Sequence, residues 1–451
     1  MGILGGKPVF PNLQPKGFPM SFSIEDITYF QGGGASVDHT AGELFHLPYA
    51  DMHYTVGRGD GLCARTIREL NVERLRRVSQ FGFTTPPLNP VVHPQRIKPY
   101  AHTRFQHSCD VAAVALRIAE QSGLSIEMQQ LMAVAGLTHD IYTPAGGDCT
   151  KEIDPNAFDE EVHYPRLFQR PGWKPLRDSY GLDEQLLKGT ICNEGTLGTL
   201  LDWADKIAYM ARDLEEFLLR RTTEPNRPYL YKQGRHDWNA AIDEILSRRP
   251  RPMSLWRDVR VIDGQVVCTD AEALADFLHL RIIFFRHIHY AEYTRFLRVF
   301  IDNAIKVLLF EKRLTPEGLI EMDDDELKLL IEERTGASVE TFCEERMGEP
   351  FVCLCDGGET EAREEMRRQQ QRGSLMMFFV NRGPLLKVRA DLLVHFKGKV
   401  MPFSEACPTM AGILKRLTWV SPTVLFWLKT PPTLKPDYIE GLKAYWRSAR
   451  L

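Results

Sequence analysis

A short polar run, HTRFQHSCDV at residues 102–111, stands directly before a clearly apolar helical pattern. It places Arg104 three residues before His107, at the start of that helix. An imidazole can bind a divalent cation, and a guanidinium can bind paired phosphate oxygens. A solvated loop would not need this arrangement, whereas a metal or phosphate site would. Taken alone, His107 is also compatible with a hydrogen-bonded core histidine.

A second polar pair, His139 and Asp140, ends an apolar helical pattern over residues 126–141. Each side chain is costly to bury alone, so their adjacency in an apolar setting indicates a site. Imidazoles together with carboxylates bind Mn²⁺, Fe²⁺, Zn²⁺, Ni²⁺, Co²⁺ or Mg²⁺. Such a cation can polarise a phosphoryl oxygen and lower the pKa of a bound water.

A third group of polar residues lies on the helical pattern over residues 195–219. Asp205, Tyr209, Arg212 and Asp213 stand at i, i+4, i+7 and i+8, so they share one helix face. An acid, a phenol, a guanidinium and a second acid do not form a core stripe. The alternative is a salt-bridged surface helix with these charges in water.

The order H…HD…D resembles the ligand pattern of the HD superfamily of metal-dependent phosphohydrolases. Within it the chain is similar to the dNTP triphosphohydrolases, which include bacterial dGTPases and a vertebrate dNTPase that joins a SAM domain to an HD domain. The resemblance covers about residues 65–335, with no sign of a SAM domain. It rests on ERLRRVSQFG (73–82), HTRFQHS (102–108), GLTHD (136–140), KPLRDSYGL (174–182), DKIAYMARD (205–213) and HIHYAEYTRFLRVFIDNAI (287–305).

This resemblance implies a role for each matching position. The metal ligands would be His107, His139, Asp140 and Asp205. The substrate contacts would be Arg104 and Lys206 at phosphate, Tyr209 and Asp213 at the sugar, Tyr293 in the pocket, and Arg286, one position away from a phosphate-binding arginine of the family. Arg104 also counts among the catalytic residues, and an ordinary surface arginine is the alternative for Arg286.

The segment after the HD pair, HDIYTPAGGDCTKEID, departs from the triphosphohydrolase pattern. Thr143 and Asp148 stand near the places of two histidines that assist hydrolysis in that family, and Asp159 and Glu160 near a third. The Gly-Asp pair resembles the HD-superfamily 5′-deoxynucleotidases, in which such an aspartate protonates the leaving group. Asp148 is therefore a candidate general acid, with Asp159 and Glu160 as further acid/base candidates. The alternative for Asp148 is a turn residue after two glycines.

Composition limits the remaining function classes. The chain has 451 residues, is 43% hydrophobic and carries a net charge of −4, so only a weak, local nucleic-acid footprint is indicated. It has no basic leader followed by an apolar run, and no apolar run long enough to cross a membrane. Nine cysteines without metal-ligand spacing favour reduced thiols and a cytoplasmic location.

The predicted fold is mainly α, with an HD-type helical core over about residues 65–335. Residues 1–60 are rich in Gly and Pro and predict a loop-rich extension, with turns at GGGAS (32–36) and GRGDG (57–61). By the resemblance, residues 61–338 would form the HD phosphohydrolase domain, and residues 339–451 are predicted to form a small α/β appendage. That appendage has a charged helix at 361–373 and strands near 374–380, 387–396, 398–403 and 423–428.

The expected activity is metal-dependent hydrolysis of a nucleotide, foremost a deoxynucleoside triphosphate. A nucleotidase or phosphodiesterase on a mono- or cyclic nucleotide is the second hypothesis, and a nucleotide-sensing HD protein without turnover is the third. The resemblance also implies a homo-oligomer. The metal, the base and the cleaved phosphate bond stay open at this point.

Overall fold

The computed structural model describes residues 27–30, 42–80, 102–151, 153–223, 238–285, 289, 292–339, 351–354, 359–371, 375–377, 392–417, 423–427 and 434–448. Over these residues the fold is mainly α, as predicted, with three small sheets. Among the helices of these segments, none combines the length and the apolar character that crossing a bilayer requires.

Helices form most of the described structure. They are α1 (Leu62–Glu69), α2 (Arg104–Gln121), α3 (Ile126–Thr138), α4 (Asp148–Lys151), α5 (Pro155–Phe158), α6 (Glu160–His163), α7 (Trp173–Tyr180), α8 (Glu184–Ile191), α9 (Gly195–Thr223), α10 (Trp238–Arg248), α11 (Ala271–Phe284), α12 (Glu292–Phe310), α13 (Pro316–Glu321), α14 (Asp324–Thr335), α15 (Glu359–Gln371), α16 (Phe403–Ala406), α17 (Pro408–Leu417) and α18 (Pro436–Ser448). Short 3₁₀ helices cover Val72–Arg77, Tyr164–Gln169 and Pro252–Asp258.

Local sequence signals explain where the central helices begin. Thr103 caps α2 by accepting a hydrogen bond from the backbone N–H of Gln106, and Ser125 caps α3 in the same way. The bulky apolar stretch over 275–310 contains two helices, α11 and α12. Apolar residues at helical spacing continue over 66–82, but α1 ends at Glu69 and a 3₁₀ helix follows over Val72–Arg77.

The core forms around α2, which packs against both α3 and α9. Most of α2 is buried, which explains why its apolar pattern covers several faces. Gly136 of α3 lies against Ala112 of α2 so closely that a Cβ on the glycine would stand 2.4 Å from the Ala112 Cα. This helix pair therefore approaches backbone to backbone, and only glycine fits at the crossing.

The prediction of loops before residue 60 is wrong for the described part. Strands β1 (Ile27–Phe30), β2 (Gly42–Leu47) and β3 (Met52–Gly57) form an antiparallel sheet in the order β1-β3-β2. Alternate residues of β3 are buried, as expected for a strand with one face on a core. The GRGDG segment is a turn into α1, as predicted, and GGGAS lies outside the described residues.

The C-terminal region has the predicted charged helix, α15, and strands close to the predicted ones. These strands are β7 (Leu375–Met377), β8 (Leu393–Phe396), β9 (Lys399–Pro402) and β10 (Thr423–Trp427). One further strand, β6 (Phe351–Leu354), pairs with β10 and was not predicted.

This region is not a separate appendage. Strand β8 pairs in parallel with β5 (Gln265–Cys268), which is itself antiparallel to β4 (Val259–Ile262) of the helical region. Helix α18 also packs on α12. The boundary expected near residue 339 is therefore bridged by a sheet and by a helix pair.

Candidate metal centre

Three neighbouring elements supply the candidate metal ligands. His107 lies in the first turn of α2, His139 and Asp140 directly follow α3, and Asp205 lies in the middle of α9. Because α2 packs on both of the other helices, the four side chains meet at one place. His107 is 1% exposed and Asp140 is 8% exposed.

The potential ligand atoms stand at distances that suit one cation. His107, His139 and Asp140 offer atoms that all lie within 4.8 Å of one another. His107 Nε2 is 3.3 Å from His139 Nε2 and 3.8 Å from Asp140 Oδ2, and His139 Nε2 is 3.5 Å from Asp140 Oδ2. Ligand bonds of about 2.0–2.2 Å place neighbouring ligand atoms roughly 3–4 Å apart.

Asp205 closes this cluster from α9. Its Oδ1 lies 2.9 Å from His107 Nε2 and 3.9 Å from His139 Nε2. Burial opposes ionisation of Asp205, but the hydrogen bond and charge of His107 outweigh it and lower the pKa. Two imidazole nitrogens and two carboxylate oxygens are a donor set for a divalent cation of the first transition row or Mg²⁺.

The two imidazoles differ in what holds their outer nitrogens. His139 Nδ1 donates to the backbone carbonyl of Gly136 at 2.8 Å, which leaves Nε2 with a lone pair toward the cluster. His107 Nδ1 is buried and has no hydrogen-bond partner among the described residues. The orientation of His107 is therefore set by packing, by the placement of α2 and by the contact of its Nε2 with Asp205.

Arg104 holds the cluster to the segment that follows it. Its Nη1 donates to Asp140 Oδ2 at 2.7 Å, and its Nη2 donates to Asp148 Oδ1 at 2.9 Å. Burial would raise the pKa of both aspartates, but the guanidinium outweighs it, so both pKa values lie below the ordinary one. Asp148 is therefore a carboxylate in this arrangement. Its side chain is 48% exposed, which leaves it accessible beside the cluster.

Two buried side chains fix the backbone between Asp140 and Asp148. Arg74 donates to the carbonyl oxygens of Ile141 at 3.1 Å and of Thr143 at 2.7 Å. Asp324 accepts from the backbone N–H of Gly146 at 2.9 Å. The segment after the HD pair is thus held by hydrogen bonds from two other parts of the chain.

The other acid/base candidates are engaged in structural contacts. Glu160 is 6% exposed, accepts from Thr143 Oγ1 at 3.2 Å and pairs with Lys151. Asp159 caps α6 by accepting from the backbone N–H of Glu161 at 3.0 Å. Asp148 is therefore the candidate carboxylate that stands directly beside Arg104.

The polar face of α9 is not a solvated surface. Asp213 is fully buried and bonded to His289 at 2.9 Å, while Arg212 pairs with Asp110 and not with a candidate ligand. Lys206 pairs with Asp202 one turn earlier. Arg286 and the side chain of Tyr293 lie outside the described residues, so their predicted substrate contacts stay predictions.

One positively charged side chain beside this face, Arg281, was not predicted from the sequence. Arg281 of α11 donates from Nε to the Tyr209 hydroxyl, and its guanidinium lies 5.7 Å from the Tyr209 ring and 5.3 Å from the Phe285 ring. Within the described segments no carboxylate lies within ion-pair distance of Arg281. Arg281 stands in a helix that is otherwise mostly apolar and buried, so its sequence context did not indicate a site.

Residues 104–182 match the family model of the HD domain. This HD domain match contains three of the clustered side chains, His107, His139 and Asp140, whereas Asp205 lies beyond its end. Among curated protein sequences, none matches the chain at a significant level.

Two solved structures show the same fold around this HD domain. A hypothetical protein from Aquifex aeolicus is similar with a TM-score of 0.59 and 16% identity, over 90% of this chain and 99% of that one. A phosphohydrolase from Bacteroides thetaiotaomicron is similar with a TM-score of 0.55 and 15% identity, over 86% of this chain and 100% of that one. Because both likenesses extend over most of the chain, the fold they share includes more than the HD domain.

Proposed function

We propose that this protein is a metal-dependent phosphohydrolase that acts on nucleotides, with deoxynucleoside triphosphates as the first candidate substrates. The observation that carries the proposal is the convergence of two imidazoles and two carboxylates, with Arg104 in contact with one of them. The HD domain match and the fold of a phosphohydrolase support the reaction class.

The four clustered side chains would hold a divalent cation, which when bound supplies a polarised phosphoryl oxygen and an acidified water. Arg104, already anchored on Asp140 and Asp148, presents a planar guanidinium to phosphate oxygens. Asp148 is ionised in this pair, so in the free protein it can accept a proton before it can donate one.

Further positively charged side chains support a polyphosphate substrate over one with a single phosphate. Lys206 follows Asp205 directly, and burial and the nearby Arg281 guanidinium lower the pKa of Lys206 despite its partner Asp202. Arg281 is held by aromatic rings and lacks a carboxylate partner among the described residues. Together with Arg104 these groups can offset the charge of more than one phosphate. By the family resemblance Tyr209 would contact the sugar, whereas Asp213, expected there too, is fully buried and bonded to His289.

The test is incubation of the purified protein with each dNTP, dNMP and cyclic nucleotide in the presence of Mn²⁺, Mg²⁺ or Co²⁺, followed by chromatography. We expect inorganic triphosphate and a deoxynucleoside. The variant His139→Ala with Asp140→Ala should lose this activity, and His395→Ala, at an exposed histidine of β8, should keep it. No turnover of any nucleotide with any of the three metals would contradict the proposal.

A nucleotidase is the second candidate because of one contact. The carboxylate of Asp148, in the Gly-Asp pair, lies 2.9 Å from Arg104. In this position it could contact the leaving-group oxygen of a phosphate monoester. Release of orthophosphate from a dNMP, and its loss in Asp148→Asn, would favour a nucleotidase.

Nucleotide binding without any product would favour a sensor. A homo-oligomeric state stays a prediction, which size-exclusion chromatography can test.

A further inference from the structure

A buried polar cluster joins α2 to α9 one to two helical turns beyond the candidate ligands. Arg212 donates from Nε to Asp110 Oδ2 at 3.0 Å and from Nη2 to Asp110 Oδ1 at 3.2 Å. Asp110 is fully buried and Arg212 is 8% exposed. A paired, two-point contact of this kind fixes both the separation and the register of the two helices.

The N-terminal sheet completes this contact. Tyr54 of β3 donates its hydroxyl hydrogen to Asp110 Oδ1 at 2.6 Å, and Arg212 Nη2 donates to the His46 carbonyl of β2 at 2.8 Å. With its amide oriented to satisfy both neighbours, Gln106 also accepts from Arg212 at 2.9 Å. The charges are therefore matched by several hydrogen bonds, as a buried ion pair requires.

The cluster lies on the same two helices as two of the candidate ligands. Asp110 stands one helical turn after His107 on α2, and Arg212 stands two turns after Asp205 on α9. The 2.9 Å approach of His107 Nε2 to Asp205 Oδ1 depends on the placement of these same two helices. His107 has no hydrogen bond at Nδ1 to hold its ring independently.

We propose that Asp110, Arg212 and Tyr54 are positioning residues that set the separation of His107 and Asp205, and through it the affinity for the cation. The inference rests on the metal site of the proposed function. It assigns the N-terminal sheet a part in building that site. None of the three residues touches the cation or the substrate in this proposal.

A merely structural role predicts a different outcome from a positioning role. Removing one partner leaves a buried charge unpaired and destabilises the protein, whereas an apolar replacement of both partners is often neutral for stability. The informative variant therefore combines Asp110→Leu, Arg212→Met and Tyr54→Phe. The matched control replaces the pair between α10 and α11, as Arg248→Met with Asp276→Leu.

The experiment titrates Co²⁺ into the metal-free full-length proteins and records visible absorption and thermal unfolding. We expect the triple variant to bind Co²⁺ about 10–100-fold more weakly, as when outer contacts of metal ligands are lost, with an altered absorption spectrum. The control pair should keep the affinity and the spectrum of the unmodified protein. Wild-type affinity and spectrum in a folded triple variant would overturn the proposal.

Tyr54→Phe alone provides a second test if the triple variant does not fold. A several-fold loss of Co²⁺ affinity supports the positioning role, and an unchanged affinity overturns it. If the unmodified protein binds no cation, both this inference and the proposed function fail. If it binds Co²⁺ through the positioned ligands but hydrolyses no nucleotide, the proposed function fails alone.

Discussion

Helix α2 packs against α3 and against α9, and the two contacts differ in chemistry. Against α3 it makes a close apolar contact in which Gly136 allows the backbones to meet at Ala112. Against α9 it makes a buried ion pair between Asp110 and Arg212. Both contacts bring candidate ligands together. A metal site can therefore be positioned either by close apolar packing or by a buried ion pair.

The difference is in what each crossing can tolerate. A close-packed crossing depends on volume, so one extra methyl group disturbs it. An ionic crossing depends on pairing, so it is sensitive to the loss of either charge but accepts replacement of both. The α3 side also anchors its histidine, because His139 bonds to the carbonyl of Gly136 itself, whereas His107 has no such anchor.

The largest effect should come from breaking the ionic crossing on one side. Arg212→Met leaves Asp110 buried without its countercharge, and we expect the free energy of unfolding to fall by about 3–5 kcal/mol. Urea denaturation at neutral pH measures this. Arg313→Met, which breaks an exposed pair with Glu333, should cost about 1 kcal/mol or less. Equal losses in the two variants would contradict the comparison.

The apolar crossing should respond to a single methyl group. Gly136→Ala places a Cβ 2.4 Å from backbone of α2 that cannot move aside, and we expect a loss of about 1–3 kcal/mol. Gly412→Ala is the control, since a Cβ there meets no atom within 4 Å and should stabilise α17 by about 1 kcal/mol. Unfolding curves in which both alanines stabilise would show that the backbone approach is not required.

The stability of the apolar contact between α2 and α3 should also depend on pH. Arg104 at the start of α2 forms an ion pair with Asp140, directly after α3. The folded-state pKa of Asp140 is depressed, so its contribution is present above the unfolded pKa near 3.8 and is lost as the pH falls below it. For the metal-free protein we expect Arg104→Met to remove on the order of 1–2 kcal/mol of this acid sensitivity. Urea curves between pH 7 and pH 3 test it, and an unchanged pH slope would rule it out.

The smallest effect should come from one hydrogen bond of the ionic crossing. Tyr54→Phe removes the donor to Asp110, and we expect a loss of about 1 kcal/mol. Tyr438→Phe is the control, since that buried hydroxyl has no hydrogen-bond partner within the described part of the chain. Thermal unfolding of the two variants should differ, with only the first one destabilised.

Candidate site residues can be identified from the sequence where they are close together along the chain. His139 and Asp140 are adjacent, and the helical spacing of Asp205 and Tyr209 is readable without a fold. The helices around them have strong apolar periodicity and clear caps at Thr103 and Ser125, so their starts were predictable in kind. The grouping of ligands from three helices came from the family resemblance, since no spacing rule predicts which helices will meet.

The errors have a common physical cause in contacts between distant segments. The spacing placed Arg212 on the same face as Asp205, but its burial against Asp110 depends on a helix about a hundred residues earlier. The strands before residue 60 are short and stand among glycines, so their signal is weak until Tyr54 and Phe45 pack on the core. Arg281 gives no local signal because its partners are the rings of Tyr209 and Phe285.

The parallel pairing of Val267 with Leu393 and of Cys268 with Val394 has a consequence for how the chain folds. This sheet joins segments far apart in sequence, and such contacts form slowly because a long loop must close first. Until β8 has been synthesised, one edge of β5 is open to pairing with other chains. The segment that contains β8 covers this edge in the folded protein.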